Sequence, residues 1–175
     1  SCLALYHYLK KELPEAKIDV YLEEPPVPFH VLKGIDEIKS EFNSEEIYDV
    51  FFALDCNDER LGDALPMFRR AKRRVNIDHH ISNRGSGDVN IVETEKSSTA
   101  ELIYELMEPE LIDEEIAKAI YLGMAHDTGV FRYSNTSPRT MQIASELLKF
   151  GFDFSALIEE TFYEKTYLQA QIMGR

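Results

Sequence analysis

Apolar and polar positions alternate between strand-like and helix-like patterns over the first half of the chain. Residues 48–54 are almost continuously apolar, which is typical of a parallel strand covered on both faces. Residues 62–71 then have the pattern of a crossover helix, and residues 73–77 form another short strand. Strands that alternate with helices predict right-handed crossovers. The predicted fold class is therefore α/β, with a mostly parallel sheet flanked by helices.

The N-terminal residues have a helical pattern with no entry loop ahead of it. Residues 1–12 place apolar side chains at helical spacing from the first position, so we expect a segment upstream of Ser1. Residues 17–22 resemble a short strand. Three prolines within residues 23–28 predict a loop after that strand.

Helix-capping residues organise the second half of the chain. Ser98 and Glu101 form a Ser-x-x-Glu capping box that opens a helix through Met107. Asp113 caps a further helix, and Ser137, followed by proline, caps the next one, which Gly151 ends. The apolar stripe of the Asp113 helix consists of Ile116, Ile120 and Met124.

The composition limits the classes of protein to which this chain can belong. The chain has 175 residues, 44% of them hydrophobic, and a net charge of −13, which fits a globular domain and argues against wrapping of long duplex DNA. No stretch long enough to span a membrane and no signal peptide is visible, and the two cysteines cannot form a disulfide scaffold. A cytoplasmic protein without a membrane partner is expected.

Polar groups that suit a metal site follow three apolar elements. Asp55 ends one predicted strand, Asp78-His79-His80 ends the next, and Asp127 ends an apolar helix before Gly129. Taken singly, Asp55 is equally well a turn residue and Asp127 part of a helix C-terminal turn. Together they are what a metal site needs, and carboxylates with imidazoles favour Mn²⁺ or Mg²⁺ over zinc or copper.

These motifs resemble the DHH phosphoesterase superfamily. Asp55 after an apolar strand, Asp78-His79-His80, and the Asp-Thr-Gly of residues 127–129 match its second, third and fourth motifs in order. Residues 97–104 and 127–138 are most similar to the NrnA branch of oligoribonucleases and 3′-phosphoadenosine 5′-phosphate (PAP) phosphatases. The resemblance covers nearly the whole chain.

The resemblance implies a two-metal hydrolytic site. Two Mn²⁺ ions, with Mg²⁺ as the alternative, would be bridged by Asp55 and bound by His79 and Asp127, and would activate a water for attack on phosphorus. Among the catalytic residues Asp78, His79 and His80, Asp78 would orient the imidazoles and His80 would lie near the substrate phosphate. Arg132 is a candidate phosphate contact, and the alternative is a surface arginine that pairs with a carboxylate.

Two parts of the family pattern are not found in the chain. The first motif, with its Asp-x-Asp pair, is expected upstream of Ser1, and a C-terminal substrate-binding domain is expected after Arg175. Residues 1–150 are thus assigned to the catalytic domain, truncated at its N-terminus, and residues 151–175 to a helical segment that leads to the second domain. A polypeptide that begins at Ser1 should bind Mn²⁺ weakly and be impaired as an enzyme.

The implied function is hydrolysis of short oligoribonucleotides and of PAP, so the expected partner is short RNA or a nucleotide. A cyclic-dinucleotide phosphodiesterase and a catalytically inactive nucleotide-binding module are the alternatives. A processive single-strand DNA exonuclease and an inorganic pyrophosphatase are less favoured. A homodimer is left open. The basic run of residues 69–74 is interpreted as a solvated helix end in preference to an oligonucleotide-steering patch.

Overall fold

Parallel strands and a layer of helices make up the protein, and the computed structural model describes residues 1–163. The strands are β1 (Val20–Tyr21), β2 (Ile38–Lys39), β3 (Val50–Leu54), β4 (Arg73–Asp78) and β5 (Val89–Val92). The helices are α1 (Cys2–Glu12), α2 (Leu65–Arg70), α3 (Thr99–Leu106), α4 (Glu114–Asp127), α5 (Pro138–Leu148) and α6 (Phe154–Ile158). The predicted α/β class, with parallel strands flanked by helices, is confirmed.

The larger sheet has the strand order β3-β4-β5, and both pairings are parallel. Leu54 lies opposite Ile77, so β3 and β4 end at the same edge of the sheet. Strand β5 is absent from the sequence-based prediction because its four residues are too short a pattern to recognise. Its pairing with Val75–Asp78 depends on contacts that no local pattern encodes.

The region before β3 differs from the predicted layout. The strand predicted over residues 17–22 is limited to β1, which pairs with an unpredicted β2 in a separate parallel sheet. The predicted proline loop contains the start of a 3₁₀ helix over Val27–Val31. Pro28 lies in the first turn of this helix, where no backbone N–H is needed, so proline is compatible with it.

Helix α4 is at the centre of the hydrophobic core. Its predicted stripe is confirmed, since Ile116, Ile120 and Met124 are fully buried. Helices α1, α3 and α5 pack around it. This arrangement fixes Asp127, the last residue of α4, relative to the rest of the fold.

The predicted helix N-caps are confirmed, with one correction. The side chains of Ser98, Asp113 and Ser137 each accept a hydrogen bond from the backbone N–H three residues later. Glu101 does not complete a capping box with Ser98; its side chain instead accepts hydrogen bonds from Ser97 and Thr140. Helix α5 ends at Leu148, and Gly151 takes a left-handed conformation three residues later rather than capping the helix.

Removal of the α4 cap has a predictable effect on stability. Asp113 Oδ1 accepts the backbone N–H of Ile116, and its side chain pairs with Lys11. We expect Asp113→Ala to lower the free energy of unfolding by about 1 kcal/mol, the usual value of an N-cap. Urea denaturation at neutral pH measures this difference. An unchanged denaturation midpoint would show that the cap contributes nothing.

The same variant has an expected pH dependence. Burial tends to raise the pKa of Asp113, but Lys11 and the Ile116 N–H outweigh it, so the pKa lies below its usual value. The carboxylate therefore stabilises the fold fully above the unfolded-state pKa, and this contribution is lost as the pH falls through the lowered folded-state pKa. The difference between wild type and Asp113→Ala should shrink in that acid range.

The chain after α5 is only partly described. Helix α6 is followed by a π-helical turn over Glu159–Tyr163, so the helix predicted from residue 154 is interrupted early. The rest of that predicted helix, residues 164–175, lies outside the described residues. The domain boundary at residue 150 stays a prediction. Among the described residues, no helix is long and apolar enough to cross a membrane.

Candidate metal centre

Four predicted site residues meet where β3 and β4 end. Asp55 follows β3, Asp78 ends β4, and His79 and His80 come directly after it. One ligand atom from each of the four lies within 4.8 Å of the others. The sheet brings them together because parallel neighbours place their carboxyl ends at one edge.

Asp55 lies in a strained turn that points its carboxylate into the cluster. Its φ is +61°, a left-handed conformation that Asp tolerates better than most residues. The Asp55 backbone N–H donates to the Ile77 carbonyl, which continues the sheet to this residue. Asp55 Oδ1 accepts a hydrogen bond of 2.8 Å from Thr99 Oγ1. Both backbone and side chain of Asp55 are thus held in place.

His79 has the orientation of a metal ligand. Its Nδ1 lies 3.2 Å from the Lys96 carbonyl oxygen, which only accepts, so Nδ1 carries the proton. The lone pair is therefore on Nε2, which lies 3.6 Å from Asp55 Oδ1 and 3.8 Å from Asp127 Oδ2. A backbone carbonyl that fixes the ring in this way is the usual support of a ligating imidazole.

Asp78 is almost completely buried and is surrounded by donors. Its Oδ1 accepts from the backbone N–H groups of His79 and His80 and from His80 Nδ1, and its Oδ2 accepts from Asn83 Nδ2. Burial tends to raise the pKa of Asp78, but the hydrogen bonds from Asn83 and His80 outweigh it and lower the pKa. Since both oxygens are engaged, this geometry suits the predicted role of orienting the imidazoles.

Asp127 completes the constellation from the end of α4. Burial raises the pKa of its carboxyl group, and the negative charge of Asp55 raises it further, while His79 acts in the opposite direction. Two carboxylates that repel each other beside an imidazole lone pair fit a divalent cation. Burial raises the pKa of the neighbouring Cys56 to about 11, and the clustered ligand atoms come from two aspartates and two histidines rather than from this thiol. The donor set is therefore one of oxygen and imidazole.

The turn after Asp127 is unusual in its backbone. Gly129, Val130 and Phe131 all have positive φ, which is rare for a β-branched residue such as valine. A Cβ at Gly129 would lie 2.4 Å from the Tyr133 ring, so a larger residue there would require the exposed Tyr133 side chain to move. This turn places Arg132 on an exposed surface. Among the described residues, the Arg132 side chain forms no hydrogen bond or ion pair with the cluster.

The sequence-based prediction missed several polar residues that support the cluster. Asn83 Nδ2 donates to Asp78 Oδ2 and to Asn76 Oδ1, and Asn76 Nδ2 donates to the carbonyls of Ala53 and Cys56. This network connects the end of β3 with Asp78. Asparagine is common in turns, including turns a few residues after a histidine pair. Nothing in the sequence alone therefore indicated that Asn83 supports Asp78.

The basic run of residues 69–74 is engaged in pairs at the surface. Arg74 binds Asp88 through two guanidinium nitrogens, which lowers the pKa of Asp88 to about 2. Lys72 pairs with Asp49 at 2.7 Å. Arg69 and Arg70 end α2, whereas Lys72 lies beyond the helix and Arg73 and Arg74 belong to β4, so the interpretation as a helix end fits only the first two residues of the run.

The four clustered residues of the candidate metal centre lie within a part of the chain that matches a protein-family model. The model of the DHH family, N-terminal domain, matches residues 1–124, which is more than half of the chain. The chain belongs to the DHH family. Its four clustered residues thus include the Asp-His-His triplet of a DHH protein, residues 78–80.

Curated and solved relatives agree with this family assignment. The bifunctional oligoribonuclease and PAP phosphatase NrnA of Bacillus subtilis is 31% identical to this DHH protein over 174 residues, covering 94% of this chain and 53% of the relative. The NrnA of Thermus thermophilus is 34% identical over 161 residues, covering 91% and 48%. Both relatives are named for oligoribonuclease and PAP phosphatase activities. The chain spans about half the length of the curated relatives it matches.

A solved structure has the same fold. The crystal structure of an exopolyphosphatase-related protein from Bacteroides fragilis matches with a TM-score of 0.86 and 28% identity. The match covers 98% of this DHH chain and 54% of that protein. The α/β arrangement that carries the metal centre is therefore shared by a solved protein.

Proposed function

We propose that the protein is a Mn²⁺-dependent phosphoesterase that hydrolyses short oligoribonucleotides and PAP. The observation that carries the proposal is the convergence of Asp55, His79 and Asp127 in a DHH-family chain. The NrnA relatives support the substrate class, since both are named for these two activities. Mg²⁺ is the alternative ion, because it accepts the same oxygen ligands.

In this proposal Asp55, His79 and Asp127 would hold the ions. When bound, the ions would lower the pKa of a water and balance charge on the phosphoryl oxygens. Asp78 fixes the rotation of the His80 ring and keeps the backbone N–H groups of His79 and His80 paired. The protein residues therefore hold the ligand atoms in position before substrate binds, so little reorganisation is needed.

His80 and Arg132 are proposed to bind the substrate phosphate. The His80 ring is about two-fifths exposed, and its Nδ1 lies 2.7 Å from Asp78 Oδ1. Asp78 orients this ring, and the exposed part of the ring leaves room for a phosphate oxygen. Arg132 lies on the exposed turn after Asp127, where a guanidinium has room to bind a phosphate bidentately.

The assay uses the complete protein with Mn²⁺ and two substrates. Phosphate release from PAP and mononucleotide release from a short oligoribonucleotide are both expected. EDTA should abolish both activities, and added Mn²⁺ should restore them. If the protein cleaves only a cyclic dinucleotide, the proposed substrates are wrong and the protein is a cyclic-dinucleotide phosphodiesterase. Tight Mn²⁺ binding without cleavage of any of the three would indicate an inactive nucleotide-binding module.

A cytoplasmic location is part of the proposal. Both cysteines, Cys2 and Cys56, are free thiols, as is usual in a reducing compartment. The proposed partners, short RNA fragments and nucleotides, would also be present in the cytoplasm. A homodimer stays a prediction.

A further inference from the structure

Residues 96–99, called the 96–99 segment below, contact two of the candidate metal ligands directly. The Lys96 carbonyl accepts the Nδ1 proton of His79 at 3.2 Å. Thr99 Oγ1 donates to Asp55 Oδ1 at 2.8 Å. These ligands come from different strands, so the segment fixes their relative positions from a third part of the chain.

The third ligand is tied to the same segment through one amide side chain. Asn135 Nδ2 donates to the Ser97 carbonyl at 3.0 Å and to the Asp127 carbonyl at 3.2 Å. This bridge connects the C-terminus of α4 with the 96–99 segment. All three ligand-bearing elements are therefore connected to this four-residue stretch, two of them directly and α4 through Asn135.

A buried carboxylate anchors the segment. Glu101 is 1% exposed, and its Oε2 accepts from Ser97 Oγ at 2.5 Å, from the Ser97 N–H at 3.3 Å and from Thr140 Oγ1 at 2.8 Å. A buried polar network with its hydrogen bonds made is rigid. The segment is therefore suited to hold other groups in place.

The hydroxyl of Thr99 is not needed to form α3. Ser98 is the N-cap of this helix, and its side chain already accepts the Glu101 N–H. Thr99 is the first helical residue, where threonine brings no capping bond of its own. Its hydrogen bond to Asp55 is therefore additional to the local structure, which points to a role at the metal centre.

We propose that Thr99 is a positioning residue of the metal centre and that the 96–99 segment is the scaffold that sets the spacing of Asp55, His79 and Asp127. This inference rests on the proposed function, because it assumes that these three residues bind Mn²⁺. Thr99 acts by donating to Oδ1 of Asp55, the oxygen that lies 3.6 Å from His79 Nε2, and this hydrogen bond limits rotation of the carboxylate.

The test compares three variants of the complete protein. Thr99→Val removes the hydroxyl at constant shape, Thr99→Ser keeps it, and Thr136→Val removes a different hydroxyl, whose buried oxygen has no partner among the described residues. Isothermal titration calorimetry should show Mn²⁺ binding weakened roughly 10- to 100-fold in Thr99→Val, the usual cost of losing a group that supports a ligand. Thr99→Ser and Thr136→Val should stay within about threefold of wild type, since neither loses that support.

Thermal denaturation in EDTA separates positioning from folding. We expect the metal-free melting temperature of Thr99→Val to be slightly below that of wild type, because one hydrogen bond is lost, and that of Thr136→Val not to fall, because its hydroxyl makes none. Thr99→Ala provides the same comparison if the valine variant does not fold. Equal Mn²⁺ affinity in Thr99→Val and wild type would overturn the inference, as would equal weakening in Thr99→Ser.

The outcomes also separate this inference from the proposed function. If the wild type binds Mn²⁺ but cleaves no phosphoester, and Thr99→Val binds it more weakly, the positioning role stands and the function fails. If the wild type is active and Thr99→Val binds Mn²⁺ equally well, only the positioning role fails. Absence of Mn²⁺ binding by the wild type would overturn both.

Discussion

Asp55→Asn is expected to abolish phosphoesterase activity while leaving the fold intact. The carboxylate is the ligand proposed to bridge the two ions, and an amide has neither its charge nor its second anionic oxygen. We expect kcat/KM to fall by roughly 1,000-fold or more, since loss of a single electrostatic partner of the transition state already costs about 100- to 1,000-fold. Phosphate release from PAP in Mn²⁺ measures the loss.

The backbone at residue 55 makes asparagine a suitable replacement. Asp55 has a φ of +61°, and asparagine adopts this left-handed conformation as readily as aspartate. Its amide oxygen is still able to accept from Thr99 Oγ1. Asp63→Asn is the matched control, because Asp63 is exposed and has no ion pair among the described residues. Wild-type activity in Asp55→Asn would refute the assignment of Asp55 as a metal ligand.

Asp78→Ala is expected to reduce both stability and metal binding. Asp78 is 1% exposed and accepts four hydrogen bonds, so its removal leaves buried donors of His79, His80 and Asn83 without an acceptor. We expect the free energy of unfolding to fall by about 3 kcal/mol, because even one unsatisfied buried group costs about 1–3 kcal/mol. Mn²⁺ affinity should fall roughly 10- to 100-fold as His79 and His80 lose their orientation.

Asp49→Ala is the matched control for this prediction. Asp49 is also an ion-paired aspartate, but its side chain is 83% exposed and its pair with Lys72 is screened by solvent. Its denaturation midpoint and Mn²⁺ affinity should both match wild type. If Asp78→Ala behaves like Asp49→Ala in calorimetry and in urea denaturation, Asp78 has no supporting role at this centre.

Local patterns predicted the elements that carry the candidate ligands. The apolar run of β3 stops before Asp55, the short strand β4, with Val75 and Ile77 in alternation, ends at Asp78, and the stripe of α4 precedes Asp127. Each of these features depends on a few consecutive residues and on the period of one element. A change from apolar to polar at an element's end is therefore visible without knowledge of the fold.

The prediction failed where a short or irregular segment depends on distant partners. Strand β5 has four residues and forms only because β4 offers it a free edge. Glu101 was assigned to a capping box by its spacing from Ser98, yet Thr140 and Ser97 compete for its carboxylate. Spacing alone does not tell which donor a glutamate will meet.

Local sequence patterns were sufficient to predict the α/β class, the position of the carboxylates and imidazoles at the ends of elements, and the oxygen and imidazole character of the site. The groups that hold these side chains depend on contacts made in the folded chain: Thr99 on Asp55, Asn135 between Ser97 and Asp127, and Asn83 on Asp78. Thr99 and Asp55 are 44 positions apart. Their contact follows from packing α3 against the sheet, and hydrophobic periodicity specifies which face of an element is buried but not which polar atoms will then meet.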